Sequence, residues 1–171
     1  QDLARPSLGA SSPELNAMRI YLDTSVPSTY FDARTPERQK ATREFWERAN
    51  IDGHILYISE VVVSEIAKTP SLEKKNQILD LVEGLEHLTL GPPVPELAEK
   101  IIASNLVPAG KLEDALHLAL AALHLVDVVV SWNFRHMVNL KMKQKLPTVL
   151  AANGCFKRFE IITPFEYSEG E

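Results

Sequence analysis

Two periods of hydrophobic and polar positions alternate along this chain. Five short runs, 19–23, 54–58, 87–90, 127–131 and 159–163, are about five residues long, several nearly continuously apolar, as in strands covered on both faces. Between them apolar positions recur every three to four residues, which predicts helices over 36–50, 59–68, 71–85, 94–106 and 112–125, with weaker patterns over 133–140 and 148–153. The first is well marked. Thr35-Pro36-Glu37 sets an N-cap-like residue before a proline at the first helical position, and Phe45, Trp46 and Ala49 follow at helical spacing. Pro70, Pro92-Pro93, Pro108-Ala109-Gly110 and Gly154 punctuate the rest.

Strands alternating with helices imply right-handed crossovers and a parallel sheet with helices on both faces. Ligands of such sheets bind in the crevice beyond the carboxyl ends of the strands, and Asp23, Ser59 and Asn133 all fall at such ends. With 171 residues, 45% of them hydrophobic, the chain suits one domain, expected over 18–167 with a short tail at 168–171. Residues 1–17 mix Pro, Ser, Gly and Ala without periodicity and lack the apolar run of a signal peptide. They are expected to be an appended leader or a disordered tail, with the native start at Met18.

Composition narrows the function classes. The net charge is −5, 24% of residues are charged, and no segment approaches 18 uninterrupted apolar residues, so a membrane span is excluded and no strongly basic nucleic-acid surface is advertised. A carboxylate cluster holding Mg²⁺ would account for part of the negative charge, and the ion would reverse its local sign. Cys155 is the only cysteine, which rules out an intrachain disulfide and leaves no thiolate partner for zinc or redox chemistry. A reducing, cytoplasmic setting is expected.

Three acids stand out. Asp23 opens Asp23-Thr24-Ser25 directly after the first strand, where a carboxylate or hydroxyl can also simply cap the next turn. Glu65 lies inside Val61-Val62-Val63-Ser64-Glu65-Ile66-Ala67, and a glutamate is rarely buried there unless a cation or donor replaces its hydration; the alternative is that it faces water. In 112–125, Leu112, Ala115, Leu116, Ala119 and Leu123 mark a core stripe. Asp114, His117, Ala121 and His124 follow on an adjoining face, placing Asp114 within reach of His117. Asp114 can equally serve the helix dipole, and a histidine on such a face is usually satisfied by packing and one hydrogen bond.

If the acids converge, two carboxylates ~4 Å apart repel by ~4 kcal/mol at an effective dielectric of about 20, so the cluster needs a shared proton or a divalent cation. Hard oxygen ligands select Mg²⁺ or Mn²⁺ over zinc, and such an ion can activate water against a phosphodiester. Arg135, Lys141, Lys143, Lys145 and Lys111 offer phosphate contacts, with Trp132 and Phe134 as a stacking platform for unpaired bases; a solvated basic face is the alternative.

Met18-Arg19-Ile20-Tyr21-Leu22-Asp23-Thr24-Ser25, Ser59 with Glu65 in the following helix, Glu113-Asp114-Ala115, and Ser131-Trp132-Asn133-Phe134-Arg135-His136 resemble, in order and spacing, a PIN domain. The closing Ile161-Ile162-Thr163-Pro164 extends the likeness, which spans roughly 18–165. The resemblance implies a three-layer α/β/α sandwich around a parallel sheet of about five strands in the order 3-2-1-4-5. It implies metal-dependent ribonuclease activity with Mg²⁺ or Mn²⁺ and, in many relatives, the VapC-type toxin of a bacterial toxin–antitoxin pair. Asp23, Glu65 and Asp114 match the family's metal-binding acids, Ser25 its small hydroxyl residue, and Asn133 its fourth acidic position.

The asparagine can ligate through oxygen or hold a metal-bound water but brings no charge, so a second cation should bind weakly or only with substrate phosphate. His136 and Asp127 are candidates to lie near it. The expected partners are an RNA substrate, an antitoxin and a second copy in a homodimer, with the apolar helices at 61–66 and 78–85 forming either that interface or core. Two alternatives stand beside the nuclease. One is a catalytically impaired PIN-like module that binds protein or RNA. The other is a phosphoacceptor receiver domain, which needs an acidic pair by the first strand and a lysine after the last; from Met18 onward the first strand carries only Asp23, and Ile161-Ile162-Thr163-Pro164 supplies no lysine.

Overall fold

The first strand becomes the middle of the sheet. In the computed structural model, which describes residues 17–169, β1 (Arg19–Leu22) carries Ile20, Tyr21 and Leu22, all fully buried. β2 (Ile55–Ser59) and then β3 (Glu86–Leu88) lie on one side of it, and β4 (Val128–Val130) and then β5 (Glu160–Ile162) on the other. Every pairing is parallel; Ile20 stands between Leu56 and Val128, and Tyr21 between Tyr57 and Val129. β-branched residues fill β4 because both faces of the sheet are covered and a branched side chain packs well on a pleat. The order β3-β2-β1-β4-β5 and the flanking helices form the expected α/β/α sandwich. Chain direction across the sheet reverses between β1 and β4, the switch point where an open α/β sheet has its crevice.

The helices are α1 (Ser25–Thr29), α2 (Pro36–Ile51), α3 (Glu60–Ala67), α4 (Leu72–Val82), α5 (Pro93–Ala103), α6 (Leu112–Leu123), α7 (Leu140–Ala152) and α8 (Pro164–Glu169). Ser59 and Ser71 cap α3 and α4 by accepting the N–H groups of Val62 and Lys74, whereas Thr35 caps α2 without its side chain. Val61, Val62, Ile66, Ile78 and Val82 are buried, so the apolar faces of α3 and α4 are core.

The structure departs from expectation in three places. Segment 133–140 is not a helix but a set of turns, in which the Asn133 carbonyl accepts from both Met137 and Val138 N–H. The helix expected at 148–153 begins instead at Leu140, capped by Asn139, and runs through Pro147. An interior proline costs about 3 kcal/mol, and Met142, Leu146 and Leu150, buried at four-residue spacing, offset it. On α6 the expected stripe is displaced: Leu112 and Leu123 are exposed, while Ala115 and His117 to Ala122 are buried because α5 and α3 also pack on this helix. α1 and α8 had no counterpart among the expected elements. The leader expected over 1–17 lies outside the described residues except Ala17, as do residues 170 and 171 of the tail.

Candidate active site

β1–β4 pairing carries Asp23 into the sheet: its N–H donates to the Val130 carbonyl at 3.4 Å, and the residue is only 4% exposed. Oδ1 accepts the Ser25 N–H at 3.1 Å and the Ser25 hydroxyl, and Oδ2 accepts the Ser131 hydroxyl. Both serines are themselves held, Ser25 Oγ by the Trp132 N–H at 2.8 Å and Ser131 Oγ by the Asn133 N–H at 2.9 Å. The first aspartate is therefore clamped between the ends of β1 and β4. Burial pushes its carboxyl above the ordinary range.

Glu65, on α3, is half-buried, and its Oε1 accepts two hydrogen bonds at 2.8 Å, from Thr24 Oγ1 and from His117 Nε2. Burial opposes its charge, but the bonds from His117 and Thr24 outweigh that and hold its carboxyl below the usual value. Asp114, in the first turn of α6, is half-buried and raised by that burial; its Oδ1 accepts from Asn133 Nδ2 at 3.2 Å. Asn133 Oδ1 accepts the His136 N–H at 3.0 Å, which fixes the orientation of the amide, since a flipped group would turn NH₂ toward that N–H.

All four residues thus reach the carboxyl-end crevice, joined by Ser25. Glu65 and Asp23 repel each other, as do Glu65 and Asp114, so the three acids share one electrostatic field. Among the described residues no lysine or arginine forms an ion pair with any of them. Nor, among the described residues, is any group of three or more His, Cys, Asp or Glu side chains placed close enough to hold a metal ion together. An open acidic cluster of this kind still fits Mg²⁺, which keeps several waters and takes only one or two carboxylates directly.

Other sequence-derived candidates resolve variously. His117 bonds Tyr21 and Glu65; among the described residues it has no hydrogen bond to Asp114. His124 is satisfied by the Thr89 carbonyl at 3.0 Å. Asp127 lies at the opposite end of β4, tied to Arg19 N–H and Lys157, away from Asn133. Trp132 is buried with its indole N–H on Thr42, so it offers no stacking face, whereas Phe134 is 44% exposed under the Arg38 guanidinium. Arg135, His136 and Lys141 line a cleft of about 400 Å³ with Asn105, Leu106, Pro108 and Asn139. A larger cavity of about 630 Å³ lies between α7 and β5 and touches none of the acids. Lys143 pairs with Glu166 at 3.4 Å.

Tyr21, Thr24 and Ser131 were not singled out in the sequence, although each bonds the site directly or through His117. A tyrosine in the otherwise aliphatic run Ile20-Tyr21-Leu22 was the available signal, because a buried phenol requires a partner.

A five-stranded parallel sheet with acids converging at its switch point defines an open α/β protein with a polar carboxyl-end site. Residues 20–135 match the PIN domain family, and the chain belongs to it. Among solved structures it is similar to VapBC2 from Rickettsia felis bound to a DNA fragment from their promoter, with a TM-score of 0.52 and 17% identity over 85% of this chain and 98% of that one. That likeness is one of fold. The comparison with curated proteins gives no match. Among the described residues no helix is long and apolar enough to cross a membrane.

Proposed function

We propose that this PIN domain is a Mg²⁺- or Mn²⁺-dependent endoribonuclease, the toxin-like member of a toxin–antitoxin pair acting in the cytoplasm. The observation that carries the reading is that Glu65 repels both Asp23 and Asp114 at the switch point while, among the described residues, no lysine or arginine is ion-paired with any of the three, Lys68 acting on Glu65 only from a distance. Such a cluster is stabilised by a divalent cation, which Asp23, Glu65 and Asp114 would hold between them, one or two directly and the rest through its waters. Bound there, the ion would lower the pKa of a water and offset charge on a scissile phosphate.

The chain's own residues do the rest. Ser25 and Ser131 fix both oxygens of Asp23, Thr24 and His117 fix Oε1 of Glu65, and the Asn133 amide steers Oδ1 of Asp114. The Asn133 oxygen accepts the His136 N–H and keeps a second lone pair, so the amide orients Asp114 and can also ligate the ion or hold one of its waters, without adding charge for a second cation. Arg135 and Lys141 in the neighbouring cleft supply charge for an RNA backbone, and exposed Phe134 a face for an unpaired base. An antitoxin and a second copy of this chain are the protein partners that this reading expects, the first in keeping with the VapBC2 complex whose fold the chain shares.

Incubating single-stranded RNA with the protein and Mn²⁺ or Mg²⁺ tests the reading. Cleavage is expected, abolished by EDTA and by Asp23→Asn. RNA binding indifferent to Mg²⁺, without cleavage, would instead establish the impaired binding module.

A further inference from the structure

His117 lies one turn beyond Asp114 on α6 and is 2% exposed. The other buried positions of this helix, Ala115 and Leu118 to Ala122, are all alanine or leucine, so the imidazole is the one polar side chain among them. Burying it without partners would be costly, and it is bonded at both nitrogens: Nδ1 is 2.6 Å from the Tyr21 hydroxyl and Nε2 is 2.8 Å from Glu65 Oε1. The Tyr21 oxygen, fully buried, is also 2.8 Å from Ser59 Oγ, which accepts the Val62 N–H.

Donor and acceptor roles follow in order. A carboxylate only accepts, so Nε2 carries hydrogen. In the neutral ring Nδ1 then accepts, which makes Tyr21 O–H the donor to it and Ser59 O–H the donor to Tyr21. Every hydrogen points one way, from Ser59 through Tyr21 and His117 to Glu65, and each donor in the chain finds an acceptor. Thr24 adds a second donor to the same carboxylate oxygen, while Oε2 has no hydrogen bond among the described residues.

We infer that His117 is a positioning residue for Glu65, locked by Tyr21 and Ser59 in the tautomer that donates from Nε2, so that the carboxylate presents Oε2 alone to the cation. This rests on the metal reading of Asp23, Glu65 and Asp114. Carboxylate-bound histidines tune metal sites through the same kind of outer contact, and losing one typically costs ten- to a hundredfold in affinity.

Two measurements on the full chain test it separately. The first is ¹⁵N NMR of histidine-labelled protein in EDTA at neutral pH, with the His117 signals assigned by their loss in His117→Gln. It should show hydrogen on Nε2 and an accepting Nδ1, with Tyr21→Phe mixing the two tautomers; an Nδ1–H ring or an imidazolium overturns the network. The second is Mn²⁺ titration by calorimetry. His117→Leu should weaken binding ten- to a hundredfold, whereas His117→Gln, which keeps an N–H donor, should retain most of it. Equal losses in both variants, or no loss in His117→Leu, overturn the positioning role. A wild type that binds no Mn²⁺ brings down the metal reading and the positioning role with it, while the NMR result still decides whether the hydrogen-bond chain stands.

Discussion

Replacing Asn133 with aspartate puts a carboxylate oxygen where an amide N–H now donates to Asp114 Oδ1 at 3.2 Å. Two unit charges at that 3.2 Å spacing repel by about 5 kcal/mol at an effective dielectric of about 20. Proton uptake caps the cost. Keeping one carboxyl of ordinary pKa near 3.9 protonated at pH 7 takes about 4 kcal/mol, and solvent around half-buried Asp114 screens it further. The expected loss in EDTA is therefore roughly 2–3 kcal/mol, which for a chain of this size lowers the unfolding temperature by about 4–12 °C. The fold itself should survive, because a carboxylate oxygen can still accept the His136 N–H. Saturating Mn²⁺ should recover the loss and stabilise Asn133→Asp more than it stabilises the wild type. Thermal unfolding followed by circular dichroism, with EDTA and then with Mn²⁺, reads both effects. A loss under about 1 kcal/mol in EDTA, or equal Mn²⁺-induced shifts in the two proteins, would show that residue 133 does not face Asp114 in a shared cation site.

Three further outcomes are expected. Burial works against the Asp127 charge, but the Arg19 N–H and Lys157 hold its carboxyl below the ordinary value, so its stabilisation is present above about pH 4 and is lost as pH falls through the depressed value. The stability gap between wild type and Asp127→Asn in urea unfolding should accordingly shrink from pH 7 to pH 3; a constant gap contradicts this. Arg135→Ala should weaken single-stranded RNA binding and reduce the slope of log K against log salt by about 0.7, the value for one lost phosphate contact, and an unchanged slope removes Arg135 from the interface. Leu118→Ala, at a fully buried position of α6, should cost about 2–5 kcal/mol by denaturant unfolding, and a loss below 1 kcal/mol would show that α6 is not packed as described.

Hydrophobic period was enough to locate all five strands, because a covered parallel sheet needs unbroken apolar runs such as Val128-Val129-Val130. It failed where packing overrides local preference. Pro147 obscured α7, although Met142, Leu146 and Leu150 had the spacing of a buried face, and five-residue α1 with Pro27 is too short to show a period. Asp23, Glu65 and Asp114 stood out because each places a carboxylate at the end of, or inside, an apolar segment. Ser59 and His117 stood out too, but their link through Tyr21 did not, since it spans 38 and 96 positions and forms only through strand register and helix packing. The role of Asn133 depended on which way its amide faces, and that is set by the turn at His136.

The proposed function requires the carboxylates of Asp23, Glu65 and Asp114 to gather around a divalent ion. Calorimetric titration of the metal-free protein with Mn²⁺ tests it most directly, run beside Asp23→Asn and Asp114→Asn. Saturation at one ion per chain, with affinity lowered at least tenfold in each variant, is the predicted result. No binding by the wild type, or binding that neither substitution weakens, would contradict it.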